Sequence, residues 1–177
     1  MAPDSKAWGT HTASTRQVTT RPPLPSPIAV PCDEGVLLTI EPPAGWVMAA
    51  PAPPVRFAIL DPDGPGPNWP TIKVVVQDLG KLTTDEYLTL SRLQMKAAGD
   101  SMVVERDEPI GQPGGAHCFE FLAYAGTQPL RCRQLILFHG RRAFVVSALT
   151  PSHQFDAYRA RLERALGSVG LRVSARP

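Results

Sequence analysis

Residues 130 to 149, LRCRQLILFHGRRAFVVSAL, constrain the fold more than any other part of this sequence. Two long apolar runs meet at a Gly-containing break, which is typical of a β-hairpin. Strands that are apolar at successive positions are buried on both faces. A chain with such a hairpin therefore needs a layer against each side of its sheet, supplied either by its own elements or by a partner.

The length of the turn decides which side chains share a face, because side chains alternate along a strand. A two-residue turn at His139-Gly140 or at Gly140-Arg141 puts Gln134 and Ser147 on the same face. With the second of these turns the two residues are directly opposite, whereas a three-residue loop moves Ser147 to the other face. The polar side chains are then either a satisfied pair or hydrogen-bonding groups available to the backbone of a partner.

The order of the remaining elements predicts a single α+β domain. Strands are expected at 36–41, 56–60 and 71–78, followed by a helix that begins after Thr83 and ends near Gly99. Thr83 and Glu86 have the spacing of a capping box. Hairpin-linked strands and a second amphipathic helix complete the chain. Because strands joined by short turns are antiparallel, we predict an antiparallel sheet of about six strands packed against two main helices.

Composition divides the chain into three parts. Residues 1–32 are rich in Pro, Thr and Ser, and we expect a disordered tail there. The folded domain is predicted over residues 33–173, with a short C-terminal tail at 174–177. The N-terminal part shows no apolar signal-peptide core, and no run reaches the roughly 18 to 20 apolar residues of a membrane span. We therefore expect a cytoplasmic protein that does not insert into a membrane.

The sequence shows no recognisable catalytic constellation. It lacks a GxSxG nucleophile motif, and His117 and Cys118 are neighbours on one strand, which points them to opposite faces. Cys32, Cys118 and Cys132 form no CxxC pair. A four-residue turn places Cys118 near Leu135, so a disulfide between Cys118 and Cys132 is not expected. We predict no catalytic residue, no metal site and no cofactor, which favours a non-enzymatic protein.

Charge gives little support for a polyanionic partner. The formal net charge is +2, which is too small to indicate nucleic-acid binding. Arg131, Arg133 and the arginines after them are interpreted as a solvated face, with an electrostatic partner site as the alternative. Asp61 and Asp63 lie in a Pro- and Gly-rich loop, where they form either a solvated turn or a weak cation site.

Several phrases of the sequence, in order, resemble the DcrB-like (DUF1795) family, which has the Mog1/PsbP-like fold. They are Gly45-Trp46 after a Pro-Pro break, PNWPTIKVVV, TTDEYL, RCRQLILFHGRRAFVVSALTP and FDAYRARLERALGSVGLR. The resemblance covers about residues 36–173. It implies a non-enzymatic binding protein, because similar domains include the dimeric Eag-type secretion chaperones, which hold apolar helices of a client. LpqN-type lipoproteins are also related by fold.

Sheet dimensions favour the same interpretation. Six strands at a spacing of ~4.8 Å make a sheet roughly 29 Å wide, whereas two helices of about 10 Å each cover about 20 Å. With both helices on one face, the other face stays open and apolar, which marks a partner surface. The Pro-rich loop after Leu60 is the rival cover. The predicted partner-binding residues are Val74, Val76, Cys132, Gln134, Ile136, Val145 and Ser147.

These observations predict a homodimeric adaptor or chaperone, linked to a secretion system, that binds apolar segments of a client protein on its sheet. The alternative is a small-ligand or metal-binding module of the same fold that uses the Asp61-Asp63 loop.

Overall fold

The computed structural model describes residues 24, 26–33, 35–64, 70–111 and 115–173. Most of the predicted N-terminal tail, Trp69 and residues 174–177 lie outside these ranges. Ten strands and two α-helices occur within them. They are β1 (Ile28–Asp33), β2 (Val36–Ile40), β3 (Val47–Met48), β4 (Val55–Leu60), β5 (Thr71–Asp78), α1 (Thr84–Ala97), β6 (Met102–Ile110), β7 (Ala116–Ala125), β8 (Gln128–His139), β9 (Arg142–Pro151), α2 (Phe155–Gly167) and β10 (Gly170–Val173).

Seven strands form the large antiparallel sheet, in the order β3-β4-β5-β9-β8-β7-β6. The hairpin at its centre turns at Gly140-Arg141, since His139 pairs with Arg142. Gly140 has a φ of 57°, a left-handed conformation that a side chain disfavours. The two-residue turn fixes the register of the hairpin, and the predicted pairing of Gln134 with Ser147 is confirmed.

A second layer covers one face of the large sheet, which we call the α2 face. It consists of α2 and a three-stranded sheet in the order β1-β2-β10. Phe155, Leu162 and Leu166 of α2 are buried there, together with Leu38 and Ile40 of β2. This is the larger of the two apolar cores, and it begins with β1, earlier in the chain than the boundary predicted at residue 33.

The opposite face of the large sheet, the α1 face, carries a smaller apolar cluster. Met95, Tyr87 and Leu88 of α1 pack there against sheet residues that include Phe119 and Ile136. The helix connects β5 in the middle of the sheet to β6 at its far edge, so it must cross β9, β8 and β7. Fourteen residues give a helix of roughly 21 Å, which matches four strand spacings of ~4.8 Å.

Two features differ from the sequence-based expectation. The described chain has a seven-stranded sheet and a separate three-stranded sheet, instead of one sheet of about six strands. The small sheet forms because β1 and β10, from distant parts of the chain, both pair with β2. The two helices lie on opposite faces instead of one. The predicted α+β class, the antiparallel pairing and the capping box of Thr83 and Glu86 are confirmed. Neither helix of the described ranges has the length and apolarity needed to cross a membrane.

Candidate functional site

Gln134 and Ser147 lie side by side at the centre of the α1 face. The side-chain amide of Gln134 donates a hydrogen bond of 3.0 Å to the hydroxyl of Ser147. Both side chains are only partly buried. The sequence left two alternatives open, a satisfied pair or hydrogen-bonding groups available to a partner. The structure contains a hydrogen-bonded pair in which both side chains remain partly exposed.

Apolar side chains that are only partly buried lie next to this pair. Val75 and Leu149 are partly exposed on the same face, and Lys73 pairs with Ser147 on the neighbouring strand. The members of the α1-face cluster come from the sheet itself, from α1 and from Leu79 just before it. We define Lys73, Val75, Gln134, Ser147 and Leu149 as the open patch. It lies beside α1, on the half of the face nearer to β4 and β5.

The Pro-rich loop after Leu60, the rival cover, starts on the other side of the sheet. Asp61 is buried, and its Oδ2 accepts a hydrogen bond of 2.7 Å from the Tyr158 hydroxyl on α2. Burial and this hydrogen bond raise the pKa of Tyr158 to about 12. The other carboxylate oxygen of Asp61 accepts the backbone N–H of Asp63 at 3.0 Å. Both oxygens of Asp61 thus have structural partners, and the described residues contain no group of three or more metal-ligating side chains.

The seven predicted partner-binding residues divide between the two faces. Gln134 and Ser147 belong to the open patch, whereas Cys132, Ile136 and Val145 are buried in the same face. Val74 and Val76 pack on the α2 face instead, and Val74 is fully buried. The division follows from the register of β5 with β9, in which Val74 pairs with Val146 and Val75 with Val145. Only the last five residues of the predicted set share the α1 face.

A polar cluster that sequence reasoning missed joins α1 to the edge of the sheet. Nε of Arg92 lies 2.6 Å from Oδ2 of Asp107, and the guanidinium also contacts Oδ1 at 2.8 Å. Nε2 of His117 lies 2.6 Å from the same Oδ1. Hydrogen bonds from Arg92 and His117 lower the pKa of Asp107 below its ordinary value. The sequence gives no local signal for this cluster, because the partners of Asp107 are 15 and 10 residues away from it.

Two open clefts border α1 on its β6 side. One, of about 490 Å³, is lined mainly by Met95, Met102, Val103, Val104 and Phe119. The other, of about 380 Å³, lies near the start of the helix, against Leu88, His117 and Phe138. Arg92 borders both. The helix therefore packs against the sheet less completely along this side than α2 does on the other face.

The outer edge of the sheet is protected against strand addition. β6 contains a bulge between Val104 and Arg106 and carries Pro109 near its end. Arg106 and Glu108 form an exposed ion pair on the same strand. Bulges, prolines and charges at an edge disfavour pairing with another strand. A partner is therefore expected on a face of the sheet, not at this edge.

Arg131 and Arg133 are engaged in an ion network on the α2 face. Arg133 lies 2.6 Å and Arg131 3.2 Å from the carboxylate of Glu120. Arg131 also lies 2.9 Å from the carboxylate of Glu105, and Arg133 lies 2.8 Å from that of Glu163. Of the later arginines, Arg141, Arg159, Arg161 and Arg164 are exposed, as expected of a solvated face. For Arg131 and Arg133 that interpretation is wrong, because their side chains are only 24% and 14% exposed. They balance charge within the protein, which leaves little for an electrostatic partner.

The thiols have the arrangement expected from the turn between β7 and β8. Cys118 pairs with Leu135 across the strands, while Cys132 pairs with Phe121. The two cysteines face opposite sides of the sheet, and no disulfide occurs among the described cysteines. Burial raises the pKa of the Cys132 thiol to about 12, which makes it a poor nucleophile.

The fold is shared with two solved structures. LpqN, which is involved in cell envelope biogenesis of Mycobacterium tuberculosis, aligns with a TM-score of 0.60 and 12% identity, covering 79% of this chain and 86% of LpqN. The cyanobacterial PsbP protein CyanoP from Synechocystis aligns with a TM-score of 0.58 and 12% identity, covering 91% of this chain and 98% of CyanoP. No family model and no curated protein matches the sequence. The chain thus has the fold of the LpqN- and PsbP-like (Mog1/PsbP-like) proteins.

Proposed function

We propose that this protein is a non-enzymatic adaptor or chaperone that binds an apolar helical segment of a partner protein on its open patch. The observation that carries the proposal is the strip of the α1 face around Gln134 and Ser147, where Val75 and Leu149 are partly exposed and no described element outside the sheet, α1 and the segment leading into it belongs to the apolar cluster. Uncovered apolar surface of this kind is characteristic of partner sites.

The dimensions of the sheet support a helix as the occupant. Seven strands at a spacing of ~4.8 Å make the sheet roughly 34 Å wide, and α1 crosses about four strand spacings of it. Along the strands, the ten residues of β9 extend over roughly 33 Å, of which the helix diameter of about 10 Å covers only part. A second helix fits beside α1 over β5 and β9. Its apolar side chains would pack on Val75 and Leu149, and an acidic residue at its edge would meet Lys73, the one charged group of the open patch.

Gln134 and Ser147 have a specific role in this proposal. Because they are bonded to each other, the free protein has no unsatisfied polar group at this position. A bound helix with Ser, Thr or Asn at the contact can add to the same hydrogen-bond chain. Polar groups within an apolar surface set the register of a partner more than they add affinity.

The resemblance to DcrB-like proteins and Eag-type secretion chaperones supports the same class of partner. The homodimer, the link to a secretion system and the cytoplasmic location stay predictions from the sequence.

Binding of a defined helix tests the proposal. The probe is a fluorescent Leu- and Ala-rich helical peptide with one Glu, and the control peptide has the same composition in scrambled, non-amphipathic order. We expect Leu149→Lys and Val75→Lys to weaken binding of the probe at least about tenfold, because each places a charge in the apolar contact. Val173→Lys changes a valine that is 56% exposed on β10, and it should leave binding unchanged.

Circular dichroism and thermal unfolding establish that the variants are folded. Failure of the probe to bind the wild-type protein, or equal loss in Val173→Lys, contradicts the proposal.

A further inference from the structure

The helix α1 differs from α2 in how it is held to the sheet. We propose that α1 is a displaceable cover, which undocks from the α1 face as a unit while the rest of the fold stays intact. The undocking is a property of the free protein and can be measured without a partner. Its regulatory meaning, control of the apolar surface offered to a client, rests on the proposed function.

The apolar anchorage of α1 is weak. Met95, which is 9% exposed, is its one buried side chain, whereas α2 buries Phe155, Leu162, Ala165 and Leu166. Two large apolar residues of α1, Leu90 and Leu93, are 44% and 57% exposed on its outer side. Since burial of apolar side chains provides most of the attachment of a helix, α1 is attached less firmly than α2.

Polar contacts provide much of the remaining attachment. Arg92 binds Asp107 of β6 through two hydrogen bonds, and His117 of β7 holds the same carboxylate. We call these three residues the α1 latch. The guanidinium is 43% exposed and the carboxylate 30%, and ion pairs at such exposure are weak. Asp85, about two turns earlier on α1, is the other charged group that acts on Arg92.

The segments at both ends of α1 are suited to such a movement. Gly80 and Gly99 flank the helix with φ values of 61° and 59°, and glycine changes its backbone conformation at low cost. Residues 80–83 and 98–101 each provide four residues of non-α-helical chain. Four residues extend to roughly 14 Å, more than the helix diameter of about 10 Å. The clefts of about 490 and 380 Å³ beside the helix already separate part of it from β6.

Undocking would uncover a continuous apolar surface. Phe119 and Ala143 are fully buried beneath α1, and Ile136 is 1% exposed. Together with the open patch they would extend the available surface across β9, β8 and β7. Among the predicted binding residues, Cys132, Ile136 and Val145 become accessible only in this state. A client helix would replace the contacts of α1 with its own.

Native-state hydrogen exchange measures the undocking directly. In the wild-type protein, the open state through which α1 amides exchange should be at least about tenfold more populated than the open state through which α2 amides exchange. The opening of α1 should also expose less surface than global unfolding does. Arg92→Met removes the ion pair and keeps an apolar side chain over Phe119. It should speed exchange in α1 about two- to fivefold and leave α2 unchanged. Arg159→Met, a matched change in the Arg159–Asp156 pair of α2, should leave α1 unchanged.

Thiol labelling supplies a second readout within the same samples. Cys132 lies in the cluster beneath α1, whereas Cys32 lies in the core of the α2 face. Arg92→Met should therefore accelerate labelling of Cys132 but not of Cys32.

Exchange of α1 and α2 only together, by global unfolding, overturns the proposal, as does equal labelling of the two cysteines. If α1 opens but the probe helix does not bind, the proposed function fails and the undocking stands. If the probe binds and Arg92→Met changes neither exchange nor labelling, the undocking fails alone.

Discussion

The hydrogen bond from the Gln134 amide to the Ser147 hydroxyl, 3.0 Å long, joins the two central strands of the large sheet on its less covered face. The hydrogen bond gives each of the two side chains a polar partner in the free protein, although both remain partly exposed. A contact of this kind makes the central strands compatible both with an unliganded state and with a bound partner.

Removal of this pair is expected to change stability little. Ser147→Ala deletes the acceptor, and the partly exposed amide of Gln134 can turn to water, so we expect a loss of about 0.5–1.5 kcal/mol in the free energy of unfolding. The double variant Gln134→Leu/Ser147→Ala should be closer to wild type than the single one, because no unpaired group remains. Urea unfolding of the three proteins checks this. A loss above about 3 kcal/mol for Ser147→Ala would show a fully desolvated pair instead.

Glu120 is expected to be far more sensitive. Its carboxylate is 9% exposed and bonded to both Arg131 and Arg133. Glu120→Gln leaves two partly buried guanidiniums with one acidic partner each, and we expect a loss of about 2–4 kcal/mol. Glu105→Gln removes a partner of Arg131 that is 35% exposed, and should cost at most about 1 kcal/mol. Equal losses measured by denaturant unfolding would contradict the central role of Glu120.

The register of the hairpin was predictable up to the choice of turn, because it depends on local chemistry. A two-residue turn at the glycine places Gln134 and Ser147 on one face, and the Gly140-Arg141 alternative makes them opposite. The same alternation places Cys118 beside Leu135. The capping box at Thr83 is equally local. Each of these features involves residues within about twenty positions of one another.

The covers of the sheet were not predictable, because they depend on pairing between distant segments. β1 has a Pro-containing sequence that resembles a tail, and it becomes a strand only by pairing with β2. β10 pairs with the same strand from the other end of the chain. The position of α1 depends on the placement of β6 at the far edge, and so does the meeting of Arg92 with Asp107. The central pair of the candidate site was therefore predictable from the hairpin. The boundaries of the site were not, because they depend on tertiary structure.

The contact between Arg92 and Asp107 predicts a specific pH dependence. The pKa of Asp107 is lowered in the folded protein, so its contribution to stability is present above the ordinary carboxyl pKa of about 3.9 and is lost as the pH falls through the lower folded value. Asp107→Asn should reduce the unfolding free energy by about 1 kcal/mol at neutral pH. This difference should shrink below about pH 4.

Unfolding of wild type and variant across this pH range provides the measurement. Glu108→Gln on the same strand is the control, since its ion pair with Arg106 is 46% exposed on both sides and should matter by less than about 0.5 kcal/mol. A difference that grows on acidification would contradict the assignment of Asp107.

The cysteines are expected to be slow to react in the native protein. The pKa of Cys132 is raised to about 12 and that of Cys118 is also raised, in both cases chiefly by burial. Because the thiolate is the reactive form, both should resist a thiol reagent at neutral pH and react at once in guanidinium chloride. Mild oxidation should not link them, since they face opposite sides of the sheet. Mass spectrometry of peptides from oxidised native protein provides the check, and a Cys118–Cys132 peptide would contradict the register of β7 with β8.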